Sequence, residues 1–131
     1  YGFNLEKLFI RFDLSSDISL KTLEDLTFNI IFLDPVRARV SLSLNGAGKP
    51  AKYFIKDDSG EREMPLSDAV YDKIIEIAVP FELLNLAQNY ENIEFCVSVD
   101  KNSLEIERWP YQASLIIPKP SEGFNFLSWS V

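Results

Sequence analysis

From Ile93 to Val99 the chain alternates without a break: Ile93, Phe95, Val97 and Val99 are apolar, and Glu94, Cys96 and Ser98 lie between them. An extended strand, whose side chains point to opposite faces with period two, turns that pattern into one buried and one outward face. The same alternation recurs elsewhere. Leu8, Ile10 and Phe12 alternate with Phe9, Arg11 and Asp13, Val40, Leu42 and Leu44 alternate with Ser41 and Ser43, and Thr27 to Leu33 is a nearly continuous apolar run. Two turn signals, Asn45-Gly46-Ala47-Gly48-Lys49-Pro50 and Asp57-Asp58-Ser59-Gly60, bracket a strand over Lys52 to Lys56, with Glu61 to Met64 returning as the second arm of a hairpin. Ala69 to Val79, Ile93 to Val99, Leu104 to Arg108, Ser114 to Ile117 and Phe124 to Trp129 complete about nine strands. The expected fold is all-β: a two-sheet antiparallel β-sandwich, immunoglobulin-like or jelly-roll-like, with little helix. Helix is limited to one turn within residues 16 to 26, near Leu20, Leu23 and Leu26, and another over Phe81 to Leu86. The period predicts a core containing Ile10, Phe12, Ile31, Val40, Leu42, Ile75, Ile77, Phe95, Val97, Ile106 and Ile116.

A chain of 131 residues fits one domain spanning 1–131 and buries enough surface to fold without staples. The chain opens on Tyr1 and its only methionine is Met64, so a segment processed or cut from a longer polypeptide is the expectation. A net charge of −7, with 13 scattered Lys and Arg, forms no basic face for phosphate backbones or anionic lipid, which argues against nucleic acid and membrane as partners. No run approaches the ~20 apolar residues of a membrane span and no signal peptide is read, so a cytoplasmic location is expected. Cys96 is the single cysteine; an internal disulfide is impossible, and a buried thiol acting as a small hydrophobe is the favoured reading.

The chain contains no histidine, which removes the usual general base, the Ser-His-Asp and Cys-His arrangements and the commonest transition-metal ligand. A carboxylate pair survives as a candidate. On strict alternation Glu105 and Glu107 share one strand face about 6.5 Å apart, within the range that glycosidases use for acid and base. The same pattern is also what any half-exposed strand shows, with Leu104 and Ile106 on its other face, and that plainer reading is preferred. Trp109 follows on the Glu face, where a ring beside acceptors could grip a sugar: the ring covers C–H faces and polar groups take the hydroxyls. Against this, the residue precedes Pro110, and a tryptophan at a strand end commonly caps a core. Trp129, among Phe124, Phe126 and Leu127, is a weaker candidate. The Asp57 to Glu61 loop offers oxygens for calcium but lacks the Asp-x-Asp-x-Asp-Gly spacing, and a hairpin turn with Gly60 at positive φ is favoured; no metal or cofactor is assigned. Asp13, Asp17 and Asp34 are single acids that nothing in the sequence brings together.

One succession of strings carries a family likeness: IEIAVPFELLNL from Ile75, IEFCVSVD from Ile93 and LEIERWPYQASLIIPKP from Leu104. In these a strand ends in Val-Pro-Phe, and a later one ends in Glu-Arg-Trp-Pro. Over Ile74 to Val131 the chain resembles the β-sandwich that closes the C-terminal end of family 57 glycoside hydrolases, related in build to family 9 carbohydrate-binding modules. The resemblance implies an accessory domain beside an α-glucan-acting catalytic barrel, with that catalytic domain of the same parent chain as partner and an α-glucan or oligosaccharide as a ligand it could touch. It implies no catalysis, because no segment matches the barrel that carries the family's acids. Three expectations follow: a non-catalytic accessory sandwich packing on or extending the catalytic domain, an autonomous carbohydrate-binding module, or a ligand-free structural or adhesion domain. Should sugar bind, Trp109, Glu105, Glu107, Arg108 and Tyr111 are the residues expected to hold it, and exposure of the Trp109 ring separates the first two readings.

Overall fold

The computed structural model describes residues 1–13, 20–45, 49–65, 69–71, 74–84, 86, 90–119 and 128–129. Its strands are β1 (Gly2–Phe3), β2 (Lys7–Asp13), β3 (Leu26–Asp34), β4 (Ala38–Leu44), β5 (Pro50–Asp57), β6 (Gly60–Glu63), β7 (Ala69–Tyr71), β8 (Ile74–Pro80), β9 (Asn92–Lys101), β10 (Leu104–Trp109), β11 (Leu115–Pro118) and β12 (Ser128–Trp129). Helix among the described residues is confined to α1 (Leu20–Glu24) and a 3-10 turn over Phe81–Leu84. The turn at residues 46–48, Asp17 and the stretch Phe124 to Leu127 lie outside the described residues.

The strands form two antiparallel sheets packed as a sandwich. One has the order β12-β1-β2-β8-β7, the other β10-β9-β3-β4-β5-β6, with β11 also on β9. The edge outside β9 has an unusual construction. Leu104 to Trp109 run opposite Lys101 to Val97, and Leu115 to Pro118 run opposite Phe95 to Asn92. β10 and β11 are therefore two halves of one edge strand, and residues 110–114 loop out where a partner for Cys96 would stand.

The core lies where alternation places it, between the inward faces of both sheets: Leu8 and Ile10 of β2, Ile75, Ile77 and Val79 of β8, Phe28, Ile30 and Phe32 of β3, Val40 and Leu42 of β4, and Ile93 and Phe95 of β9 are all buried. Aromatic edges tie the layers together. The Phe12 ring stands edge-on to Phe28 across the sheets at 5.1 Å between centroids, and Tyr1 meets Phe95 at 5.6 Å. At the other end the Tyr53 hydroxyl of β5 donates to the Ala78 carbonyl of β8 at 3.0 Å, satisfying a polar group that enters the apolar layer.

Four expected core residues stand differently. Ile106 and Ile116 are exposed, at 57% and 60%. Ile116 sits opposite Glu94 on the outward face, and its neighbour Ile117 takes the buried place, because an Ile-Ile pair does not say which member faces in. Ile31, opposite Arg39 and Cys96, is half-buried on the outer face for the same reason. Phe12 is partly buried and packs against the core from its margin.

The outer face of the larger sheet contains a buried polar row. Asn29 pairs in register with Ser41 on β4 and Ser98 on β9. Its amide nitrogen donates to Ser98 Oγ and Asp100 Oδ2, both at 3.2 Å, and its oxygen accepts from Ser41 Oγ at 2.7 Å. Satisfied networks of this kind fix register, since a slip by one residue would turn Asn29 into the apolar layer and leave its amide unpaired.

Phe95→Ala, which removes a fully buried ring, is expected to cost about 3–5 kcal/mol. Ile116→Ser, on the open edge, should stay within about 0.5 kcal/mol of the parent. Urea denaturation of both variants checks the pair, and a large loss at Ile116 would mean that this face is covered.

Candidate functional site

Strand β10 does not keep strict alternation. Glu105 pairs with Asp100 and Glu107 with Val99, so Ile106 is an extra residue with no partner on β9, a β-bulge. Residues directly opposite on antiparallel strands share a face, so Glu105 lies with Asp100 on the outer face and Glu107 with Val99 on the inner one. The expectation that Glu105 and Glu107 share a face is thus corrected by one inserted residue. The bulge also brings together two residues that an even strand would separate. Arg108, opposite Ser98, joins Glu105 on the outer face, where its guanidinium donates to the carboxylate from Nη2 at 2.7 Å and from Nε at 3.1 Å. That pairing holds the Glu105 carboxyl below, and the Arg108 guanidinium above, its ordinary pKa. Arg108 Nη1 also lies 3.1 Å from Cys96 Sγ. The thiol is buried as expected, though on the outer face beneath this side chain, and burial raises its pKa.

Trp109, opposite Val97, takes the inner face with Glu107. It caps no core: the residue is 44% exposed. The smaller sheet stops short of it, since β1 pairs only with Leu8 and Phe9 and leaves the edge of β2 beyond them open among the described residues. A cleft of about 240 Å³ results, with Phe12, Phe28, Val97 and Val99 as its apolar lining and Arg11, Asp13, Glu107 and Trp109 bringing polar groups and a ring. Arg11 Nε reaches Asp13 Oδ1 at 3.2 Å, whereas Glu107 makes no ion pair or hydrogen bond with a described residue. This is a ring beside a free acceptor and a guanidinium, over an apolar floor.

Glu105, Arg108 and Tyr111 lie apart from this cleft. Glu105, Glu107, Arg108 and Tyr111 border a shallow hollow of about 570 Å³ on the edge, with Ile106 and Gln112, and Tyr111 is 78% exposed in the looped-out segment. Only Glu107 borders both hollows. Arg11, Phe12 and Asp13 were not identified from the sequence as site residues, because only the packing of β2 across β9 brings them to Trp109. A larger hollow, about 720 Å³, lies at the opposite end of β2 among Leu5, Pro65, Pro80 and Phe81, but Phe81 is buried and no ring is offered to a ligand there.

The Asp57 loop closes as a hairpin. Asp57 pairs with Gly60, whose φ is +114°, and Asp57 Oδ1 accepts from the Ser59 amide at 2.8 Å. Both carboxylate oxygens are taken by Arg62, at 3.2 and 2.9 Å, and Arg62 Nη2 reaches across to the Leu83 carbonyl at 3.3 Å. Among the described residues no cluster of three or more Asp, Glu, Cys or His could hold a metal ion. No helix among them is long and apolar enough to cross a membrane. Comparison of the chain with known protein families, with curated proteins and with solved structures finds no match.

The hydrogen bonds from Arg62 hold the Asp57 carboxyl below its ordinary pKa, as Arg108 does for Glu105. A carboxyl depressed in the folded state contributes stability that is complete above its unfolded pKa of about 4 and is lost as pH falls through the folded value. Melting temperature should therefore fall on acidification below about pH 4, and the fall should be shallower in Asp57→Asn, measured by thermal melts from pH 7 to pH 2. An equal slope in that variant would show that the pair is uncoupled from folding.

Proposed function

We propose that this chain is a non-catalytic carbohydrate-binding β-sandwich, an accessory domain of a glycoside hydrolase acting on α-glucans. The observation that carries the binding part is the half-exposed Trp109 ring at the mouth of the cleft, beside the free Glu107 carboxylate and the Arg11 guanidinium. An exposed tryptophan on an apolar floor suits the C–H face of a sugar, with the acceptor and donors beside it suiting the hydroxyls. The α-glucan and the parent hydrolase rest on the sequence resemblance alone, as does the catalytic domain as partner. The non-catalytic part rests on chemistry: there is no histidine, and the bulge turns Glu105 and Glu107 to opposite faces of the sheet, with the Glu105 carboxylate engaged by Arg108.

Calorimetric titration with maltoheptaose tests the reading, with other neutral oligosaccharides in parallel. Heat is expected with the parent chain and should vanish in Trp109→Ala, while the stability cost of that change stays near about 1–2 kcal/mol because the ring is half-exposed already. Binding that survives Trp109→Ala, or no binding to any neutral glycan, would overturn the assignment and leave a packing module or a ligand-free domain. The purified chain should release no sugar from starch or an aryl glucoside, and turnover abolished by Glu107→Gln would defeat the non-catalytic part.

A further inference from the structure

Among the described residues, five of the six large hydrophobic residues left exposed lie along one edge: Leu104, Ile106, Trp109, Tyr111 and Ile116, all on β10, β11 or the loop between them. An edge strand offers unpaired N–H and C=O groups to any strand that can align with it, and proteins ordinarily blunt such edges with charge or brevity. The other ends of the sheets are blunted in that way. β6 reads Gly-Glu-Arg-Glu, and among the described residues β7 and β12 have three and two. β10 has six, Leu-Glu-Ile-Glu-Arg-Trp, and no described strand covers its outer side.

We infer that β10 is a self-complementary edge that pairs antiparallel with β10 of a second copy of this chain. A two-fold axis through the sheet, between Ile106 and Glu107, sets Leu104 opposite the Trp109 of the other copy and Glu105 opposite its Arg108. Such an axis keeps each face on its own side, so partners must share a face. In an even strand positions 104 and 109, or 105 and 108, have opposite parity and would fail. The bulge at Ile106 restores the match: Leu104, opposite Lys101, falls with Trp109 on the inner face, and Glu105 with Arg108 on the outer one. The result is two apolar-aromatic pairs and two opposite-charge pairs, which stabilise neighbouring strands, flanking two central Ile106–Glu107 positions at the axis. The contact is short and falls below the ~800 Å² per partner of standard interfaces, so the dimer is a weak one.

Sedimentation over a range of concentrations tests the inference with two charge-reversal variants, Glu105→Arg and Arg108→Glu. Each alone sets like charges opposite each other at both outer pairs and should remain monomeric where the parent dimerises. Mixed in equal amounts they should form a heterodimer, because both inter-chain pairs are restored while the pair within each chain stays broken. Ile106→Lys should be monomeric with an unchanged melt. A parent chain that stays monomeric at millimolar concentration overturns the inference, and so does dimerisation that the charge variants leave intact or that their mixture fails to recover. Because Trp109 belongs to both contacts, glycan binding is read by calorimetry at dilutions where the chain is monomeric, and dimerisation by sedimentation without glycan, so that each can fail separately.

Discussion

β9 is bonded along both of its edges, to β3 on one side and to the two halves of the outer strand on the other. Everything distinctive about the larger sheet follows from the two faces this ladder presents. Inward, Ile93, Phe95 and Val97 close the core against the other sheet; outward, Cys96, Ser98 and Asp100 are held by Arg108, Asn29 and Arg39. The ladder joins segments about seventy residues apart, as the Asn29 to Ser98 hydrogen bond records. Its register therefore cannot be set by a tight turn and depends on side chains. The apolar face and the satisfied Asn29 network choose the same register, and agreement between levels is what makes one arrangement win over a slipped one.

On the far side of β9 the bulge at Ile106 sets where chemistry can occur. One extra residue reverses parity for the rest of β10. Without it, Glu105, Glu107 and Trp109 would lie in a row, and Arg108 would point away from all three. With it, Arg108 spans Glu105 and Cys96 on the outer face, and Trp109 turns to the inner side with Glu107. Among the described residues that inner side is open, because β1 is two residues long and no described strand of the smaller sheet reaches β10. The exposed tryptophan thus results from two local facts, an inserted isoleucine and a short neighbouring strand.

The sequence was legible where alternation was unambiguous. Val40 and Leu42, flanked by Arg39, Ser41 and Ser43, could face only one way, and both are buried. It was illegible where both parities are apolar, as at Ile30-Ile31 and Ile116-Ile117, since hydrophobicity then gives no preference and packing decides. The bulge was hidden for a related reason: Leu-Glu-Ile-Glu-Arg-Trp reads as a perfect alternating strand, and only pairing with β9 shows that one residue too many is present. The cleft could not be read at all. Arg11 and Asp13 lie more than ninety positions from Trp109, and no local signal marks two strands that meet only across the sandwich.

On the carbohydrate-binding reading, the charges at the cleft also restrict the kind of glycan. Arg11 is already engaged by Asp13, so the guanidinium brings little net positive charge to the mouth, while Glu107 stands there without a partner among the described residues. A uronate or sulfate group seated against Trp109 would face that carboxylate across a few ångströms, within a chain of net charge −7. Like charges at such separations repel by about 1 kcal/mol or more even in water, and by more where apolar walls exclude solvent. A neutral sugar meets no such opposition. Its hydroxyls would donate to Glu107 and accept from Arg11 with its C–H face on the ring, so neither charged group would be stripped of water without replacement. On that reading the electrostatics of the cleft would favour a neutral glycan over an anionic one, without distinguishing among neutral glycans.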